Sequence, residues 1–308
     1  MIEIDGQVGP VAFLVDEKYV VSCGDGGTIQ RWRVEDGMEV GVPMNAGDSV
    51  RDIAVSQDGK WIISGTSKSL VQVWSVKSGK KVREFKARGD WVQAIDVSPD
   101  STTIASGSHD KTACVWSLST GKRLLGPWEH DDIVSAVKFS LDGCFIATAT
   151  VMVSRIYDGR DGNLVVNVPL DSEISCLLRP LAWSSNSKHL FAVSYGKITC
   201  LDASTGAILS QWSIHGDYYS SIALASDGAF IAASSGSSVS FWDTTTHKQI
   251  GSIIEDIPYI DCMAISANYD IVISGGNGIT LGSLRDILPS SYCDNVSTFG
   301  LINRFAAQ

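Results

Sequence analysis

Residues 98–116 read SPDSTTIASGSHDKTACVW, and residues 56–74 read SQDGKWIISGTSKSLVQVW. Both open on a polar corner, pass through a short run of apolar and small residues, and end on a tryptophan. A stretch repeated at a fixed spacing marks a fold assembled from copies of one supersecondary unit. The closing residue can be followed along the chain as Trp32, Trp74, Trp116, Tyr157, Leu201, Trp242 and Gly282, at intervals of 40 to 44 residues.

Two further markers move in phase with it. Five residues after each closing position stand Gly37, Gly79, Gly121, Gly162 and Gly206, then His247 and Ile287. Glycine at a fixed point implies a tight reversal with positive φ, and at Ile287 the turn is lost. The corner Ser56-Gln57-Asp58-Gly59 returns at Ser98, Ser140 and Ser226, and more weakly at Ser184 and Ala267. Between the markers lie runs of four to eight residues rich in Val, Ile, Trp, Phe and Ala, such as WVQAIDVS, TACVWSL and KVREFKA. They are too short for helices and read as strands, four to a copy. The expected fold class is all-β: seven four-stranded antiparallel blades around one axis, each sealed against its neighbours.

Such a ring must close. Aligned on KVREFKARGDWV, the first residues MIEIDGQVGPV fall on an outer strand, with Ile2 and Ile4 at its apolar positions. The N-terminal strand is therefore expected to complete the seventh blade. Residues 1–284 form the propeller. Residues 285–308 are a tail outside the repeat, expected to pack on the ring through Phe299 and Leu301.

Composition narrows the function. The 308 residues are 44% apolar or aromatic and 19% charged, a globular balance. With 24 basic and 34 acidic side chains the net charge is −10, which disfavours nucleic acid and anionic membranes and suits a basic partner. Seven cysteines without a C-x-x-C pair read as buried apolar residues of a reducing compartment. The first 20 residues lack the pattern of a signal peptide, and no run of 18 apolar residues occurs. The expectation is a cytoplasmic monomer, with the nucleus as the alternative.

The residues resemble the WD-repeat β-propellers. The resemblance rests on the repeat length, the SPDG-like corner, the SGS-x-D stretch, the closing Trp and the Gly after it, and it covers roughly residues 1–284. One literal Trp-Asp pair is present, Trp242-Asp243. In that family a His, a Ser or Thr, an Asp and the Trp of one blade often share a hydrogen-bonded tetrad. Carried over, the third copy offers Ser106, Asp110 and Trp116, with Arg88 in place of His. The fourth offers His130 and Thr148 without the Asp, and the sixth His215, Ser234 and Trp242. No copy holds His and Asp together, and an Arg88–Asp110 pair is the expected substitute.

No chemistry is legible. The five histidines, His109, His130, His189, His215 and His247, fall on different blades or opposite ends of the ring, so no nucleophile, base and orienter meet. The glycines of CGDGGTIQ (residues 23–30) sit at an interstrand turn and do not lead into a helix, unlike those of a phosphate loop. No catalytic residue, cofactor or metal ligand is assigned.

The family's narrow upper face is rimmed by the starts of the first strands and the turns before the third. This places Trp91, Ile133, Tyr218, Tyr259 and His109 there, with Arg51 and Arg179 toward the channel beside Gln93, Ser135, Ser220 and Asp261. Aromatic residues and Arg on one face have the composition of a binding hot spot. The resemblance thus implies a non-catalytic scaffold for a protein or peptide. A glycan-binding propeller and the stand-alone sensor part of a larger repeat protein are the alternatives.

Overall fold

The computed structural model describes residues 2–5, 9–87, 89–169, 181–194, 196–214, 221–257, 260–275 and 278–293. Seven four-stranded antiparallel sheets follow one another in a ring. Blades one to six span residues 11–45, 50–86, 92–129, 136–169, 181–213 and 222–254, each running outward from its first strand. Blade seven takes Ile260–Ile265, Asp270–Gly275 and Gly278–Ser283 from one end of the chain and Ile2–Asp5 from the other. The pairing runs from Ile2 opposite Leu281 to Asp5 opposite Gly278, so the N-terminal strand closes the ring as the sequence implies. Among the described residues the only helical pieces are the turn Leu284–Asp286 and the four-residue helix Ser290–Cys293.

The corner of each copy has a chemical reason. Ser56 Oγ donates to Asp58 Oδ1 (2.6 Å) and accepts the Trp61 N–H (2.9 Å), while Asp58 Oδ1 also accepts the Lys60 N–H (3.0 Å). The same set forms at Ser98–Asp100, Ser140–Asp142 and Ser184–Asn186. Partial burial works against the charge on Asp58, Asp100 and Asp142, but these hydrogen bonds outweigh it and hold the carboxyls below their usual range. The reversal after the third strand behaves as its glycines require, with φ from +64° to +76° at the five of them and +58° at His247.

One regularity escapes the sequence. The fourth residue of every corner has positive φ, and its identity alternates around the ring. Even blades carry Gly59, Gly143 and Gly228; odd blades carry Glu17, Ser101, Ser187 and Tyr269. Each of these four side chains reaches back to the corner of the preceding blade. Ser101 Oγ accepts the Asp58 N–H and Ser187 Oγ the Asp142 N–H, both at 3.1 Å. Tyr269 Oη donates to Asp227 Oδ2 (2.6 Å). Because seven is odd, two odd blades meet where the chain closes. There the Glu17 carboxylate accepts the N–H groups of Ala267 (2.8 Å) and Asn268 (3.2 Å).

The blades are sealed by apolar clusters that straddle neighbouring sheets. Trp116 of blade three, for example, packs with Ile63 and Val73 of blade two and lies 5.4 Å from the ring of Phe85. Blade seven has Gly282 where the others have Trp, Tyr or Leu. Its seam with blade six is filled instead by Leu284, Leu288 and Tyr292, which pack around Phe230 and Phe241. Tyr292 Oη also donates to Asp243 Oδ2 (2.6 Å). Phe299 and Leu301 lie outside the described residues.

The second strands press closely on the next blade. A Cβ at Gly107 would lie 2.7 Å from Val134 Cγ1 and 2.9 Å from the Val134 carbonyl oxygen of blade four. A Cβ at Gly65 would lie 2.6 Å from Val92 Cγ1 of blade three. Backbone on the far side cannot yield as a side chain would. Gly107→Ala is therefore expected to cost about 1–3 kcal/mol, measured by urea unfolding. An unchanged midpoint would show that the seam is looser than its geometry.

Candidate partner-binding face

The upper face is built by irregularities in the first strands. In blades two, three and seven the ladder skips one residue, between Val50 and Asp52, Val92 and Ala94, and Ile260 and Cys262. The skipped residues are Arg51, Gln93 and Asp261, and a bulge of this kind re-aims the side chain it carries. Arg51 swings over the indole of Trp91, its guanidinium carbon 5.0 Å from the ring centroid. Gln93 Oε1 lies 3.1 Å from His109 Nε2, and the imidazole of His109 lies 4.7 Å from Trp91. On blade one, Asp25 Oδ1 accepts from Ser49 Oγ (2.7 Å) and from Arg51 (3.4 Å). Three blades thus converge on one cluster of Asp25, Arg51, Trp91 and His109, in which Trp91 keeps 39% of its surface exposed.

Ile133 is half-buried, its N–H held by Asp132 Oδ1 (2.8 Å). Met152 is exposed at the turn before the third strand of blade four. Tyr218, Tyr259 and Arg179 lie outside the described residues, as do Arg88 and His215. The sequence reading turns Arg51, Gln93 and Ser135 toward the channel, and the structure does otherwise. Arg51 and Gln93 are occupied at the upper mouth, and Ser135 Oγ donates to Ala149 O within its own blade (3.3 Å). For Arg51 and Gln93 the bulges are the reason. The wall of the central channel, a space of about 420 Å³, is formed by the residues after them, among them Asp52, Ala94 and Ala136.

The remnants of the tetrad stiffen the loops behind the face. Trp32, Trp74 and Trp116 donate to Ser22, Ser64 and Ser106 at 2.7, 3.0 and 2.8 Å. In blade two Gln72 does the bridging of a histidine, accepting from Ser64 Oγ (3.3 Å) and donating to the Ala46 carbonyl (2.9 Å). In blade six Trp242 turns to Ser240 (2.8 Å), while Ser234 accepts the Ser221 N–H (2.7 Å). Asp110 serves its own turn, accepting from the N–H (3.0 Å) and Oγ1 (2.6 Å) of Thr112. Among the described residues no three His, Cys, Asp or Glu side chains converge as metal ligands, and no helix is long and apolar enough to cross a membrane.

Electrostatics separate two histidines. Burial and the nearby Arg51 push the pKa of His109 down, while Asp90 opposes them, which favours a neutral ring bonded to Gln93. His130 lies deeper, with Nε2 2.9 Å from Thr148 Oγ1 and Nδ1 3.0 Å from the Trp128 carbonyl. Burial, reinforced by Arg155, brings its pKa down from 6.5 to about 4, against the pull of that carbonyl and Asp131. The unfolded chain therefore takes up a proton at this site that the folded chain refuses between those two values. Stability is expected to fall as pH drops through that window, by roughly 2 kcal/mol from His130 alone between pH 6.5 and 5. His130→Gln should remove this part of the slope in paired urea titrations; identical slopes would contradict the assignment.

The family model described as "WD domain, G-beta repeat" matches residues 43–75 and 79–117. These are the second and third copies, which keep both the Ser–Asp corner and the Ser–Trp hydrogen bond. No curated protein matches the chain. Two of the seven blades thus match the WD-repeat model, and five further four-stranded blades, closed through the N-terminal strand, complete a seven-bladed β-propeller.

Proposed function

We propose that the protein is a non-catalytic interaction scaffold that holds a protein or peptide segment on its upper face, centred on Arg51, Trp91 and His109. The observation that carries this reading is the convergence of bulged strands and turns on one half-exposed aromatic cluster. Trp and Arg held rigidly by their neighbours lose little freedom on binding, which is what makes such residues hot spots.

Charge supports a basic partner. The turns of this face carry Asp25, Asp48, Asp90, Asp131, Asp132 and Asp256, against Arg51, Lys68, Lys111 and Lys197, with Arg155 3.9 Å from the Asp131 carboxylate. Lys68 is already 3.8 Å from Asp48, and the Lys111 ammonium donates to the Asp131 carbonyl (2.8 Å). An acidic rim around an aromatic centre steers a cationic segment and repels phosphate backbones. The working unit is read as a monomer of the cytoplasm, without nucleic acid or membrane as ligand.

Affinity capture with the full chain, followed by titration of the recovered partner, tests the face. Trp91→Ala and Arg51→Ala are each expected to weaken binding by about 2 kcal/mol, roughly thirtyfold in Kd. The partner should also bind more weakly as salt rises. Equal affinity for wild type and both variants would rule this face out.

A further inference from the structure

The seam between blades seven and one is built unlike the others. Elsewhere the third strand turns directly into the outer strand, and the turn packs on the blade before it. Gly121 lies against Phe85, Gly162 against Trp128 and Gly206 against Val166. Blade seven has no such turn. Its outer strand is Ile2–Asp5, which reaches only to Leu281, and after Ser283 the chain runs toward blade six through Leu284 and Leu288. Among the described residues no strand pairs with Gly282 and Ser283 on the side that Ile2–Asp5 occupies. A cavity of about 690 Å³ opens there, walled by residues 17–19 and 33–35 of blade one and by Asp270 and residues 281–283 of blade seven.

Asp270 is the anomaly in this wall. It begins the second strand of its blade, where the other six begin with Tyr19, Trp61, Thr103, Phe145, His189 and Phe230. Five of those six are rings. Asp270 instead places a half-buried carboxylate that accepts no hydrogen bond and makes no ion pair among the described residues. Burial raises its proton affinity and Glu17 adds to the effect, with Arg285 opposing. A carboxylate without a partner is costly at such a place, and the repeat itself shows that a ring would fit. A residue kept against both local chemistry and the pattern of its sister copies marks a site.

We propose that this cavity is a second binding site, for a cationic group of alkylammonium or guanidinium type, with Asp270 as its counter-ion. Glu17 and Glu35 deepen the negative field, and the ring of Tyr19 supplies an aromatic wall. Of the two cations in its wall, Arg33 is turned to Asp36 in its own hairpin (3.2 Å) and Lys18 is exposed at the rim; Arg285 and Arg31, which lies 5.9 Å from the Tyr19 ring centroid, stand outside the wall. The site lies at the opposite end of the blades from Trp91 and is independent of the upper face.

Agmatine and the peptide acetyl-Gly-Arg-Gly-amide, titrated separately into the full chain and followed by amide NMR, test the site. Both are expected to shift the resonances of Tyr19 and Gly282, and the tighter one identifies whether the natural cation is free or carried on a peptide. Asp270→Asn should weaken both about tenfold or more while melting no lower than wild type, because it removes a repelled charge. Asp270→Phe, which restores a ring, should abolish binding, and Trp91→Ala should leave it unchanged. Unaltered affinity in Asp270→Asn would overturn the proposal. So would the absence of any shift, or inorganic phosphate moving the same resonances in their place, which would give the cavity to Lys18 and Arg33.

Discussion

The contact of each second strand with the first strand of the next blade governs the rest of the structure. At Gly65 and Gly107 the neighbouring blade comes so near that a single methyl group has no room. Such proximity turns seven small sheets, each too thin to bury two faces, into one continuous apolar wall. It also sets the geometry of the upper face. Arg51 can lie over Trp91 only because the two blades that carry them are held at this spacing.

A ring assembled from covalently consecutive wedges has one seam that no connecting loop bridges. Two devices secure it here. The strand Ile2–Asp5 donates backbone pairing to blade seven, and Glu17 ties the corner of blade one to that of blade seven through two backbone N–H groups. The alternation of glycine and side chain at the corners explains why Glu17 is needed. Reach-back contacts occupy every second seam, and an odd number of blades leaves two reaching members side by side. A carboxylate spanning two N–H groups does what a serine hydroxyl does elsewhere.

The scaffold was legible in the sequence because its markers are backbone requirements. Positive φ at Gly37 through Gly206, and at His247 in the same register, follows from a turn that the chain makes at one point in six of the seven copies. Closure was legible too, since Ile2 and Ile4 repeat the alternation of an outer strand. The bulges were not, because skipping Arg51 or Gln93 depends on how the ladder is strained between blades and leaves no compositional trace. The bridging by Gln72 was hidden for a related reason: it replaces a histidine from another strand, so no linear pattern records it. The replacement of a closing tryptophan by Leu284, Leu288 and Tyr292 was concealed by lying beyond the last copy. Of the proposed face, the sequence put Trp91 and His109 on the rim and Arg51 toward the channel; the stacking of Arg51 on Trp91 comes from the structure alone.

A closed ring requires its closing seam to be as firm as the six internal ones. Native-state hydrogen exchange measures this directly. Amides of the strand Gly278–Ser283 are expected to show protection equal to that of Thr112–Ser117, the equivalent strand of blade three, with both exchanging through one global opening. Exchange of the seventh blade ahead of the others would contradict closure by the N-terminal strand and leave the molecule an open arc.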